Sequence, residues 1–392
     1  MVNIRISLLS AAVIVTGCLN SVFTKYQDNQ CVRNCQDPDF SKHVYFEQPA
    51  LQTLQMFVGE SGCWVVVFLS WLSTVVKYYS KGRKKPLYAP LSEGDSDQTK
   101  LPELTGLRSL ILAIPAVCDV CGTTMLNVGL LYTPVSIYQM ARGSLILFVA
   151  LFSVFFLNRR ISRLEWLSLF VVTFGVFLVG LSGALGNKVH ISGDKNTSFA
   201  VIFGITLILI AEIFAASQFV SEEYIISRSS VDPLRLVGFE GIFGGSITFL
   251  VMVIAYSVVG RSNPGGPFDI VTSFKDVTAN SQVIWSSVAI MISIGSFNFF
   301  GISVTDELSA TARSTIDTCR TLLVWLVSLY LGWESFKWLQ LVGFSLLVLG
   351  TLTFNGVLKA ENWYFIPEWF KKDAPLPGER VIDVVDEQIE RF

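Results

Sequence analysis

Arg313, Asp317 and Arg320 fall within the stretch 306–334, DELSATARSTIDTCRTLLVWLVSLYLGWE. On an α-helix this spacing places all three on one face, with the carboxylate between two guanidiniums. The stretch is long enough to cross a bilayer, and its second half is almost wholly apolar. Charge at a bilayer centre costs roughly 2.5–3.5 kcal/mol per residue even on a lenient scale, so it persists where the groups pair or line a wet cavity. The charged face is therefore either a polar pathway through a membrane protein or an ion-pair network that locks helices together. The pathway is the stronger reading, because other apolar segments carry charge as well.

QTLQMFVGESG holds Gln52, Gln55 and Glu60. After Pro115 come Asp119, Thr123 and Asn127, a polar stripe with helical spacing. Ser136, Tyr138, Gln139 and Arg142 open another apolar run, Glu212 lies inside the next but one, and GFEGIFGG carries Glu240. The candidate substrate-binding or coupling residues are Glu60, Asp119, Gln139, Arg142, Glu240, Arg313, Asp317 and Arg320. One pairing scheme joins Asp317 to Arg313 or Arg320 and leaves Arg142 to meet Glu60 or Asp119. A carboxylate left without a cation can take up and release a proton as its access to water alternates, which is a route to proton coupling. Neither a metal site nor a cofactor is expected: His43 and His190 are far apart, and Cys118 and Cys121, a CxxC within an apolar run, read as packing residues. HExxH and GxSxG are absent, so no catalytic residue is expected.

These residues need membrane helices to position them. The 392 residues are 52% hydrophobic and 15% charged, whereas about 25% is usual for a soluble domain. The mean hydropathy is +0.54. The reading is an all-α membrane protein whose first partner is the lipid bilayer, and the net charge of −2 gives no reason to expect nucleic acid. Hydropathy predicts about ten transmembrane helices, near 4–24, 51–76, 107–131, 134–157, 164–185, 199–220, 233–259, 284–304, 309–331 and 339–358. The first is read as a span rather than a removed leader, although VTGC before Leu19 looks like a lipobox.

Lysine and arginine concentrate in the segments that are cytosolic if both termini are. The opposite, lumenal side then receives Cys31 and Cys35, expected to form a disulfide, and the sequon at Asn196, a glycosylation candidate. The cytosolic loop 77–106 begins basic, ends acidic and contains Tyr88-Ala89-Pro90-Leu91, a candidate sorting tetrapeptide in a segment that otherwise reads as linker.

Leu157 opens LNRRISRLEWLSLFVVTFGVFLVG, and Leu331 opens LGWESFKWLQLVGFSLLVLGTLTFNG. Both pass from an apolar helix through a charged turn with an aromatic into a helix with spaced glycines, and Gly175 matches Gly350. Two halves of five spans each must have opposite topology, which is the inverted-repeat plan of a secondary transporter with its site near the midplane. The expected organisation is a first five-helix repeat over 1–185, a lumenal connection at 186–198, a second repeat over 199–359 and a cytosolic tail at 360–392.

TGCLNSVFTK, PALQTLQMFVGE, CDVCGTTMLNVGLLYTPVSIYQMARG, GFEGIFG and NFFGISVTDELSATARSTIDTCRTLLVWLVSLYLGWE together resemble the drug/metabolite transporter superfamily, and within it the F subfamily of the solute carrier 35 family. The resemblance implies ten helices, alternating access by exchange or proton coupling, and an endomembrane address: lysosome, vacuole or Golgi. Span ten has no lysine except at its cytosolic end, a departure from the lysine-rich closing helices of sugar-nucleotide carriers. The expected activity is secondary transport of a small polar or charged metabolite, and the alternative is a scaffold that binds a partner membrane protein. A homodimer remains open. Arg320→Ala is expected to abolish uptake while leaving expression largely intact, measured on the correctly folded variant; normal uptake would contradict a pathway role.

Overall fold

Several helix starts in this chain are fixed by side chains that satisfy the first free backbone N–H groups. In the computed structural model, the described residues are 2–35, 43–46, 48–80, 106–133, 138, 141–159, 161–186, 195–258, 260–262, 269–332 and 336–358. Their helices are α1 (Val2–Asp28), α2 (Pro49–Ser61), α3 (Cys63–Ser80), α4 (Ala113–Tyr132), α5 (Leu145–Leu157), α6 (Arg163–Gly186), α7 (Lys195–Arg228), α8 (Pro233–Val258), α9 (Ile270–Ala279), α10 (Ser281–Glu307), α11 (Ala310–Tyr330) and α12 (Trp338–Phe354). Ser162 and Glu165 form a capping box at α6: the Ser162 N–H donates to Glu165 Oε2 at 2.7 Å and the Glu165 N–H to Ser162 Oγ at 3.2 Å. Asn280 Oδ1 accepts from the Gln282 N–H at 2.9 Å, and Ser309 Oγ accepts from the Ala312 N–H at 3.1 Å. Asn158 ends α5 in the left-handed conformation, which asparagine tolerates (φ 54°).

Among the described residues, seven helical stretches are long and apolar enough to cross a membrane: Ile4–Asp28, Ala50–Val76, Arg108–Leu126, Arg163–Ser182, Ile202–Arg228, Pro233–Val258 and Ser281–Glu307. Leu145–Leu157 and Trp338–Phe354 are apolar but shorter. Three details differ from the sequence reading. Span two is broken at Gly62, between α2 and α3, where its N–H is shared by the Val58 and Gly59 carbonyls at 3.1 Å each. The sixth span extends past Val220 to Arg228, because Ile225 is buried in a cluster with Leu236, Val237 and Ile302. Asn196 lies in the first turn of α7, within a helix where a connection was expected. The loop residues Tyr88 and Leu91, most of the connection 186–198 and the tail 360–392 lie outside the described residues.

The principal pairings are α1 with α10 and α11, α2 with α8 and α10, α4 with α7 and α8, α5 with α7 and α11, and α6 with α12. The α6–α12 contact is a glycine seam: a Cβ on Gly175 would lie 2.6 Å from the Gly343 carbonyl oxygen, and one on Gly343 2.7 Å from that of Gly175. Small residues let membrane helices approach this closely, where no water is released to drive association.

At one end of the bundle, Cys31–Arg33 (β1) pairs antiparallel with Val44–Tyr45 (β2), and a disulfide joins Cys31 to Cys35. This hairpin is pinned to α9 by Arg33–Asp276 at 2.9 Å, and Asn280 Nδ2 donates to the Cys31 carbonyl at 3.1 Å. Gly343→Val is expected to lower stability by about 1–3 kcal/mol, the usual cost of overpacking, as a lower melting temperature of the purified chain. An unchanged melting temperature would contradict the close α6–α12 approach.

Candidate functional site

The expected charged residues separate into two groups along α11. Arg313, one turn into that helix, is almost completely buried, with 2% side-chain exposure. A guanidinium there needs an anion within hydrogen-bonding reach. Its partner is Glu222 of α7, which has no exposed side-chain surface. Gly301 of α10 leaves room for it, since a Cβ there would lie 2.7 Å from Arg313 Nε. The Phe219 ring covers the guanidinium, 4.1 Å from Arg313 Cζ to the ring centroid, a cation–π contact.

Three more carboxyls surround this pair. Glu60, on α2 just before the break at Gly62, accepts from Asn298 Nδ2 of α10 at 2.6 Å. Asp119 of α4 is hydrogen-bonded by the Gln218 side chain of α7. Glu240 of α8 lies in the electrostatic field of Glu222, Glu60, Asp119 and Arg313. Oε2 of Glu60 and Oε1 of Glu240 are buried without a hydrogen-bond partner among the described residues. Four acids thus share one arginine.

Two turns further along α11 the charges balance. Arg320 Nη2 donates to Asp317 Oδ2 at 3.1 Å, and Phe297 lies 5.0 Å from its guanidinium. Arg142, in the short helical stretch before α5, stands 3.8 Å from Glu212 of α7 and 5.7 Å from the Tyr138 ring centroid. Asp317 acts electrostatically on both Arg142 and Glu212. Arg142 keeps 36% of its side chain accessible while Glu212 keeps 2%. Oδ1 of Asp317 and Oε1 of Glu212 lack hydrogen-bond partners among the described residues. This group therefore offers an accessible guanidinium beside carboxylate oxygens not fully engaged.

The pairings differ from those expected. Asp317 does bond Arg320, but Arg313 turns to Glu222, and Arg142 meets Glu212 rather than Glu60 or Asp119. Glu222 was missed because the sixth span was ended at Val220. The available signal was periodicity: Gln218, Glu222 and Ile225 continue one face of the same helix. Glu223 was missed for the same reason. It binds Arg159 at 3.1 Å and accepts from the Ala310 N–H at 2.9 Å, where the positive end of α11 favours an anion. Gln139 lies outside the described residues.

A family model described as nucleotide-sugar transporter matches residues 105–268. A Schizosaccharomyces pombe protein, uncharacterized protein C12G12.12, is 38% identical over 90% of this chain and 98% of its own length. Human solute carrier family 35 member F6 is 36% identical over 89% of this chain and 88% of its own. The chain belongs to the solute carrier 35 family. Solute carrier 35 proteins are membrane transporters rather than enzymes, so the charged groups described above lie within a carrier of small solutes in a lipid bilayer. A Schizosaccharomyces pombe UDP-galactose transporter is 31% identical over 28% of this chain and 31% of its own. A solved crystal structure superposes with a TM-score of 0.55 over 89% of this chain and 99% of its own at 11% identity, a likeness of fold alone.

Removing one partner of a buried ion pair costs about 3–5 kcal/mol, whereas replacing both by apolar groups of similar volume is often neutral. Glu222→Leu alone is therefore expected to destabilise the chain strongly, and the double change Glu222→Leu with Arg313→Met to recover most of the loss. A double-mutant cycle on unfolding measures this; additive single effects would show that the two side chains do not interact.

Proposed function

We propose that the chain is a secondary active transporter that moves a small polar or charged metabolite across an endomembrane by alternating access. The observation behind this reading is the Arg142–Glu212 and Asp317–Arg320 group, where α5, α7 and α11 meet. Ion pairs that only locked helices would be expected to satisfy one another fully and exclude water. Here Arg142 stays accessible, its Nε faces Glu212 Oε1 at 3.8 Å without a hydrogen bond, and Asp317 Oδ1 has no hydrogen-bond partner among the described residues. Charges of both signs fit a solute that carries both, a zwitterion or a peptide-like molecule.

An inverted repeat of ten spans, with halves 1–185 and 199–359, is part of the proposal. Exchanging α1 with α7, α2 with α8, α4 with α10, α5 with α11 and α6 with α12 carries the helix contacts onto one another. Thus α1–α10 becomes α7–α4, α1–α11 becomes α7–α5 and α2–α10 becomes α8–α4, while α2–α8, α5–α11 and α6–α12 map onto themselves. The site then lies on the pseudo-twofold axis.

Alternating access needs two closable ends. At the end with the hairpin, Gln27 and Gln55 both donate to Ser287 Oγ, at 2.8 and 3.0 Å, and Gln52 donates to Asp28 at 2.6 Å. At the other end stand Arg5–Glu307 at 2.8 Å and Arg159–Glu223 at 3.1 Å. We assign these as the two gates, since each is a set of side-chain contacts between helices, hydrogen bonds at one end and ion pairs at the other, that can part without breaking a helix. Lysosome or vacuole is the favoured membrane, Golgi the second, with sorting through Tyr88 and Leu91, glycosylation at Asn196 and both termini cytosolic.

A thermal-shift screen of the purified chain against zwitterionic, anionic and cationic metabolites at two pH values tests the carrier reading. A bound solute at 100 times its Kd adds about 2.7 kcal/mol of stability. That shift is expected to vanish in Arg142→Ala and in Asp317→Asn. A screen in which no solute raises the melting temperature would instead favour a scaffold that binds a partner membrane protein.

A further inference from the structure

At the hairpin end the usual order, polar outside and apolar inside, is reversed. Phe46, just past β2, is completely buried against Leu51 of α2, Met252 of α8 and Val283 of α10. One helical turn further in, each of those helices carries a polar side chain on the same face: Gln55, Thr248 and Ser287. Gln55 and Gln27 donate to Ser287 Oγ at 3.0 and 2.8 Å, and Gln27 also reaches the Val283 carbonyl at 3.4 Å. The polar layer therefore lies directly beneath the apolar one. It is not fully satisfied, because Gln55 Oε1 and Thr248 Oγ1 are buried without a hydrogen-bond partner among the described residues. On the inner side the Phe57 ring lies against α8, where a Cβ on Gly244, one turn below Thr248, would collide with it. An apolar seal outside an unsatisfied polar layer is the order of a lid over a wet compartment.

We propose that the β1–β2 hairpin is a lid over this layer, that Phe46 is its plug, and that this end of the chain opens when the hairpin parts from α9. The purpose of the lid rests on the alternating-access reading; its movement does not. Three polar contacts hold it down. Arg33 Nη2 binds Asp276 Oδ2 at 2.9 Å, Asn280 Nδ2 donates to the Cys31 carbonyl at 3.1 Å, and Ser273 Oγ donates to Gln48 Oε1 at 2.7 Å. All three run from the segment between α1 and α2 to α9 and the residue that follows it, so they join one proposed half of the chain to the other. The Phe46 N–H donates to the Gln30 carbonyl at 3.0 Å, which fastens the plug to the start of the hairpin. The Cys31–Cys35 disulfide closes the turn that presents Arg33. Arg33 Nε is buried without a partner among the described residues, so the fork of its guanidinium is only partly used. The latch thus consists of side-chain contacts that can part while every helix stays intact.

Thr248→Cys, in a full-length chain whose free cysteines are replaced by serine, places a thiol beneath the lid and leaves the Cys31–Cys35 disulfide intact. Its alkylation by a charged maleimide, added to the hairpin face of oriented proteoliposomes, reads the lid with no solute present. Slow alkylation is expected behind the unmodified hairpin. Arg33→Gln and Asp276→Asn each remove the latch and leave the plug in place. Each is expected to speed alkylation about tenfold or more, the usual worth of a hydrogen bond to a charged group. Combining the two is expected to add little, because they remove one contact. Phe46→Ala, which removes the plug itself, is expected to speed the reaction as well. Gly343→Val, which loosens the distant α6–α12 seam, is expected to leave it slow. Fast alkylation behind the unmodified hairpin overturns the proposal. So does a rate that neither latch variant raises, or a rise that Gly343→Val matches. A lid that opens on a chain that carries no solute keeps the movement and loses its purpose; uptake by a chain whose thiol stays shielded in both latch variants does the reverse.

Discussion

A guanidinium cannot give up its charge inside a lipid-embedded bundle, so Arg313 dictates what surrounds it. Taking such an ion out of water costs several kcal/mol even after relaxation. The chain offsets that cost with Glu222 on α7, with the face of Phe219 one turn away, and with the space left by Gly301 on α10. Each requirement constrains a different helix. Helix α7 must run past the apolar core of its span to bring Glu222 inward, and α10 must present a glycine. Helix α11 must begin at the turn around Ser309, whose side chain caps it. Glu223, next to Glu222, reaches the same turn from the other side. A single buried cation thus fixes the relative register of three helices.

From that anchor the interior divides in two. Seven residues of α-helix rise about 10 Å, which is the axial separation of Arg313 and Arg320. The lower group is acid-rich and enclosed; the upper one is balanced in charge and partly accessible. Glu60 sits where span two breaks at Gly62, so a change in that break would move a member of the acid-rich group directly. The α6–α12 glycine seam brings the two backbones into van der Waals contact and leaves no room for a side chain there. The two ends are held by side-chain contacts alone: amide and hydroxyl bonds at the hairpin end, and the Arg5–Glu307 and Arg159–Glu223 pairs at the opposite end. Close backbone packing between helices and side-chain contacts at both ends suit a bundle that rocks about a fixed centre.

Much of this was legible in the sequence. The apolar runs coincide with helices, and Glu60, Asp119, Glu240, Arg313, Asp317 and Arg320 were singled out as charges that a bilayer would not tolerate alone. The partner of Asp317 could be narrowed to Arg313 or Arg320, because all three lie on one helix, and the structure pairs it with Arg320. Arg142 and Arg313 could not. Their partners, Glu212 and Glu222, belong to another helix, and its rotation and axial shift are set by packing rather than by spacing. The sixth span was ended too soon because a pair of glutamates reads as a water-facing terminus. Burial of Ile225 against α8 and α10 overrides that signal. The break at Gly62 was equally hidden, since hydropathy averages across it.

Alternating access requires water to reach the Arg142–Asp317 group from each side of the membrane in turn. Tyr138→Cys, in a chain whose free cysteines at 18, 63, 118, 121 and 319 are replaced by serine, places a thiol beside Arg142. Its labelling in oriented proteoliposomes by a membrane-impermeant thiol reagent, added to one face and then the other, measures that access. Alternating access predicts labelling from both faces, with saturating solute favouring one face over the other. A thiol that stays unlabelled from both faces, or that only a lipid-soluble reagent reaches, would contradict the mechanism.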